Sequence, residues 1–143
     1  MRRYSYWLLV LGMMGLVGCE NNAASLMIDG NKDHSISLLR EQRWFWSDEV
    51  VQRIVVARYP ECQRRFEIVP GKTQEARLEI YGIKPMIYAA RQDKDWYVIG
   101  TEQCQVQKVA GVPASPPGPL IGAFLLSEER LRFVPEPNGS KAQ

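Results

Sequence analysis

From Leu26 onward the apolar residues of this chain come in short runs separated by turn formers. That rhythm constrains the fold more than any other feature, because it suits half-buried strands joined by tight connections. Ser35-Ile36-Ser37-Leu38 alternates polar with apolar, and Leu78 and Ile80 alternate with Arg77, Glu79 and Tyr81. Trp96-Tyr97-Val98-Ile99 and Cys104-Gln105-Val106-Gln107 continue the pattern. Val50 to Ala57 is ambiguous in period: Val51, Ile54 and Val55 also fit a helix face that Ser47-Asp48-Glu49 would open. Its density of β-branched residues favours a strand, since restricted χ1 angles suit the pleat better than a helix.

The punctuation fits antiparallel connections. Pro70-Gly71-Lys72-Thr73 predicts a tight turn, with a fixed φ followed by a permissive glycine. Asp93-Lys94-Asp95 predicts a hairpin loop between Met86–Arg91 and Trp96–Ile99. The stretch from Val112 to Pro119 holds four prolines and cannot continue a ladder, so it is a loop inside the domain. The expected architecture is mainly β: a small antiparallel β sandwich or barrel of about seven strands, with at most one helix.

With 143 residues, 45% of them hydrophobic and 24% charged, the chain has the size and composition of one globular domain. Its 18 basic side chains nearly balance 16 acidic ones, which argues against a nucleic-acid partner.

The N-terminus carries an address. Met1-Arg2-Arg3 is a short basic start, and Tyr4 to Gly18 contains no charge. A spanning helix needs ~20 apolar residues, so this shorter, glycine-containing run fits a secretory signal instead. Arg2-Arg3 lies too close to Met1, without a polar lead-in, for a twin-arginine signal. The run ends at Leu16-Val17-Gly18-Cys19, followed by polar Glu20-Asn21-Asn22.

Leu16-Val17-Gly18-Cys19 resembles the lipobox of bacterial lipoproteins. The resemblance covers residues 1–19 and implies a diacylglyceryl group on the Cys19 thiol, cleavage before Cys19, and acylation of the new N-terminus. Two or more chains hold stably where one binds only at ~10⁴ M⁻¹. It also implies a place in the cell envelope facing the periplasm, and Glu20, where aspartate would retain the protein in the inner membrane, points to the outer one. The division expected is then a signal peptide at 1–18, a lipidated tether at 19–25, a β-rich periplasmic domain at 26–134 and a flexible tail at 135–143. Losing Arg2 and Arg3 with the signal brings the basic side chains to parity with the 16 acidic ones.

Cys62 and Cys104 remain, and two cysteines in an oxidising compartment predict a disulfide. Their spacing is far from the C-x-x-C of a redox pair. His34 is the sole histidine, and neither Asp33 nor Ser35, its neighbours on an extended chain, can share its face. It reads as a surface or hydrogen-bonded structural residue, with no catalytic triad or zinc set around it. Asp29-Gly30-Asn31-Lys32-Asp33 opens like a calcium loop, but His34 and Arg40 occupy the positions that need glycine and a bidentate glutamate. No metal or cofactor is expected.

Trp44-Phe45-Trp46 is the most distinctive triplet. On a strand Trp44 and Trp46 share a face, and at least one is expected in the core against Ile54 or Val56, because a buried indole removes ~200 Å² from water. Exposed, the two indoles beside Arg40 and Arg43 would instead stack on sugars or anchor a partner. No paired carboxylates, phosphate loop or usable triad emerges from the spacing. The expected function is therefore a membrane-anchored, non-catalytic binding or assembly module of unknown partner, with the membrane, through acyl chains on Cys19, and an envelope protein as the candidates. The alternatives are a ligand-binding or hydrolase-inhibitor domain and, third, a hydrolase with a carboxylate site.

Overall fold

The computed structural model describes residues 19–138; the signal segment at 1–18 and the tail residues 139–143 lie outside the described residues. Ten strands follow in order: β1 (Asn21–Ile28), β2 (Asn31–Glu41), β3 (Glu49–Arg58), β4 (Cys62–Lys72), β5 (Arg77–Lys84), β6 (Ile87–Gln92), β7 (Asp95–Gly100), β8 (Gln105–Lys108), β9 (Leu120–Ser127) and β10 (Arg130–Pro135). They form a four-stranded sheet, β1-β2-β3-β4, and a six-stranded sheet, β10-β9-β5-β6-β7-β8. Every pairing is antiparallel. The small antiparallel β sandwich is the expected class, the ambiguous Val50–Ala57 lies in strand β3, and no helix occurs among the described residues.

Ten strands form where about seven were expected, and the largest departure is at the start. The segment expected as a tether is ordered structure: β1 begins at Asn21 and pairs with β2 from Asn21↔Glu41 to Met27↔Ser35. Its small polar residues hid a regular alternation. Ala24, Leu26 and Ile28 pack on the core while Asn21, Ala23 and Ser25 stay exposed. The connection is Asp29-Gly30, both at positive φ (55° and 65°), the conformation a two-residue hairpin turn demands. At the other end Pro135, expected in the tail, closes β10 opposite Gly122.

The turn expected at Pro70–Thr73 is also displaced. Pro70 and Gly71 belong to β4, where the register slips between Val50 and Gln52, and the chain reverses at Thr73-Gln74 instead. Proline is tolerated there because β4 is an edge strand and the slip removes the need for its donor. Gly71 sits where a Cβ would lie 2.8 Å from Gln52 Oε1, so the bulge and the buried glutamine fit each other. Asp93-Lys94 turns the β6–β7 hairpin as expected, with Asp95 already in β7.

Between the sheets lies one apolar core. Ile36, Leu38, Ile54 and Val56 from the smaller sheet meet Leu78, Ile80, Ala90, Ile99 and Phe124 from the larger, all essentially inaccessible. At one side of the sandwich β1 lies against β10. At the other, Cys62 at the head of β4 is bonded to buried Cys104 just before β8, with Cα atoms 6.0 Å apart. The disulfide therefore staples the open edge of one sheet to that of the other.

A second, smaller cluster forms on the outer face of the larger sheet. Tyr81, Ala89 and Trp96 are covered by Val109 and Leu120, which flank the proline-rich loop. That loop is tied down by Val109 N–H donating to Trp96 O (2.8 Å) and Gly82 N–H donating to Pro119 O (3.0 Å). Trp96 is the tryptophan this domain buries, at 3% exposure.

Replacing both Cys62 and Cys104 by serine should lower unfolding stability by ~4 kcal/mol, from the chain entropy of a loop of 42-residue separation. Urea denaturation of oxidised wild type and double variant would read it. Peptide mapping without reductant should recover a single Cys62–Cys104 cross-link.

Candidate functional site

The two ends of the sandwich differ in chemistry. At the end holding Cys19, the core is closed by a buried polar cluster around Arg40. This side chain, paired opposite Gln52 on the inner face of the sheet, is 0% exposed. Its Nη1 donates to Glu20 Oε1 (2.7 Å), its Nε to Gln52 Oε1 (3.2 Å), and its Nη2 to the carbonyls of Glu75 (3.0 Å) and Lys72. Burial pulls the Arg40 pKa down, and the charge of Glu20 works against that pull. Guanidinium keeps its proton in proteins, so the cluster holds a buried cation with its fork satisfied. Gln52 passes the network on by donating to Val69 O (3.0 Å) and to Gln92 Oε1 (2.8 Å) on the opposite sheet.

Arg40 is thus corrected from candidate binding residue to internal clamp. The positional cause is the period of two: residue 40 continues the inward series of Ile36 and Leu38.

The aromatic triplet departs further from expectation. Trp44-Phe45-Trp46 lies in the β2–β3 connection and not on a strand, and neither tryptophan reaches Ile54 or Val56. Trp44, Phe45 and Trp46 are 58%, 58% and 68% exposed. They contact one another instead: the indoles stack at 5.1 Å between centroids, and Phe45 meets Trp46 edge-on at 4.8 Å. Burial energetics favour an interior indole in principle, but β2 ends at Glu41 and carries the triplet past the end of the core. The loop has a defined shape, with Ser47 N–H donating to Trp44 O (3.0 Å) and Gln42 Nε2 to Ser47 O (2.6 Å). Arg43 beside it is exposed.

The start of the chain is fastened to this loop. Gln42 N–H donates to Glu20 O (2.8 Å), and Glu20 N–H donates to Gln42 Oε1 (2.9 Å). Exposed Cys19 precedes this joint by one residue. Cys19, Glu20, Gln42 and Phe45 all line one open depression of about 660 Å³.

At the opposite end, the β1–β2 turn faces the β5–β6 turn across a cleft of about 510 Å³. Ile28, Ile83, Pro85, Met86 and Ile121 make its walls mainly apolar, with His34, Asp29, Tyr88 and Lys84 as polar members. His34 is 7% exposed, its Nδ1 stands 3.8 Å from Asp29 Oδ2, and its buried Nε2 has no hydrogen-bond partner. The expected surface or fully hydrogen-bonded histidine is thus neither. Asp29 approaches it, across the hairpin, where adjacent Asp33 cannot. Burial pushes the Tyr88 hydroxyl pKa up, and the nearby Asp29 charge adds to it. Sequence spacing offered no signal for this cleft, because its residues come from both sheets.

No three His, Cys, Asp or Glu side chains converge on a metal-sized site among the described residues. The most buried carboxylate on the larger sheet, Glu79, feels burial raising its pKa. Hydrogen bonds from Tyr81 (2.7 Å) and Arg77 (2.8 Å) and the charge of Arg91 outweigh that and leave the pKa lowered, as befits a structural anion. Comparison with protein families, with curated proteins and with solved structures gives no match.

Two outcomes follow from these placements. Trp44→Ala and Trp46→Ala should each change unfolding free energy by less than ~0.5 kcal/mol, whereas Trp96→Ala should cost ~3–5 kcal/mol. Thermal melts monitored by circular dichroism would separate the three. Arg40→Met should cost ~3–5 kcal/mol, because it strands the carboxylate of Glu20 and two carbonyls in the interior; urea titration would measure it.

Proposed function

We propose that this protein is a lipid-anchored lipoprotein of the bacterial envelope whose periplasmic β sandwich works by binding and not by catalysis. The anchor is Cys19, acylated after cleavage of residues 1–18, and the lipobox-like Leu16-Val17-Gly18-Cys19 is the motif behind it. Two further features support this: Cys19 is exposed ahead of the first strand, and Cys62 is bonded to Cys104 as suits an oxidising compartment.

The observation that carries the binding role is the cleft beside His34. A largely apolar concavity with a few convergent polar groups is the usual form of a ligand or side-chain pocket. The occupant that fits is an apolar group with a polar edge toward Asp29 and Lys84, carried by an envelope protein or a small ligand. Because β1 and β2 run the length of the sandwich between Cys19 and this turn, the anchor places the cleft at the end facing away from the membrane.

Cys19→Ser should abolish incorporation of labelled palmitate and block the cleavage before residue 19. In cells carrying the native anchor, a photo-crosslinking residue at Met86, in the cleft wall, should capture a discrete partner. The same residue at Arg132, exposed on β10, should not. Equal capture at both positions would remove the cleft from the binding role.

A further inference from the structure

We propose that Trp44-Phe45-Trp46 is a second membrane contact, a loop that seats its aromatic side chains in the interfacial layer of the same bilayer that holds Cys19. This rests on the lipoprotein assignment above, and deepens it by naming the lipid surface as what covers the triplet.

Proximity comes first. With Cys19 acylated at the membrane surface, Glu20 is one residue away, and its backbone is paired with Gln42 through two hydrogen bonds of 2.8 and 2.9 Å. Trp44 is two residues beyond Gln42. At ~3.3–3.6 Å per residue the aromatic loop cannot lie far from the acyl attachment point. Phe45 and Cys19 line the same depression. No flexible linker separates them, since β1 begins at Asn21.

The chemistry of the loop matches that position. Tryptophan is enriched at membrane–water interfaces, where an amphipathic ring finds an apolar body and a polar tip both accommodated. Three adjacent aromatics, each more than half exposed and attached to no part of the core, form an apolar patch that water solvates poorly. Hydrogen bonds within the loop preset its shape, so little ordering is needed on contact. Charge does not drive the contact: exposed Arg43 is outnumbered by Asp48 on the loop, Glu49 at the start of β3, and Glu128 and Glu129 across the depression. Zwitterionic lipid should therefore suffice, and added salt should leave the contact unchanged.

The test uses the full chain, processed in a bacterial host, extracted in detergent and reconstituted in phosphatidylcholine vesicles. One vesicle preparation carries bromine high on the acyl chains and the other none. Tryptophan emission should be quenched by the brominated lipid, equally in low and high salt. The double variant W44S/W46S, which in the processed chain keeps only buried Trp96, should show no quenching and should melt like wild type. An intact mass spectrum of the same sample reads Cys19 separately. Acylated protein whose emission is the same in both vesicles overturns the loop contact and leaves the anchor standing. An unacylated Cys19 overturns the anchor; the loop is then decided by the quenching lost between wild type and W44S/W46S, because Trp7 of the uncleaved chain is common to both. Capture of the loop by a protein, with emission unquenched by lipid, counts against the proposal.

Discussion

A guanidinium with no exposure to water needs each nitrogen answered, and in this domain the answers come from three separate parts of the chain. Arg40 on β2 is met by Glu20 ahead of β1, by Gln52 on β3, and by the carbonyls of Lys72 and Glu75 around the β4–β5 turn. Burying a cation is costly, and the cost is recovered only when geometry satisfies the whole fork. Any displacement of the chain start or of that turn would strand a charge in the interior. The clamp thereby fixes the register at one end of the sandwich, where the apolar core no longer reaches, and through Gln52 and Gln92 it joins the two sheets.

This polar closure gives the molecule two unlike ends. At the Arg40 end the interior is sealed by hydrogen bonds, and apolar side chains are displaced outward onto the aromatic loop. At the His34 end an apolar cleft opens between the β1–β2 and β5–β6 turns, and buried His34 Nε2 has no hydrogen-bond partner. The same inward-facing series on β2 runs from His34 through Ile36 and Leu38 to Arg40. One polar residue thus stands at each end of the core, the first with Nε2 unbonded and the second bonded at each of its nitrogens. A satisfied network rigidifies its surroundings.

Much of this was legible in the residues. Alternation at Ser35–Leu38 and around Leu78–Ile80 identified strands whose inward residues form the core, and two cysteines sufficed for the disulfide. Features set by partners in space were not. Asn21–Ser25 looks like a tether because its side chains are small, and only pairing with β2 makes it a strand. Pro70-Gly71 looks like a turn because the bulge that absorbs it belongs to β3 as much as to β4. Trp44 and Trp46 look like core because indoles repay burial, yet Trp96, beneath the proline-rich loop, takes that role. Arg40 could have been recognised, since an even-numbered position in the series Ile36, Leu38 must point inward. The cleft could not, as no local pattern joins Asp29 to Met86.

The absence of a tether has a mechanical consequence for the proposed anchor. A lipoprotein on a flexible linker searches a volume that grows with linker length, and its domain takes any orientation to the bilayer. Here Cys19 adjoins Glu20, which is itself a member of the Arg40 clamp. The domain is then held at one height and one tilt, with the aromatic loop as a second point of contact against rocking. The eleven residues of β2 span about 35 Å at ~3.3 Å per residue, so under the proposed anchor that length is the upper bound on the height of the cleft above the lipid surface. A partner bound there must present itself within that height. Fixing the approach in this way reduces the orientational freedom lost on binding, which favours partners that are themselves anchored in the envelope over freely diffusing ones.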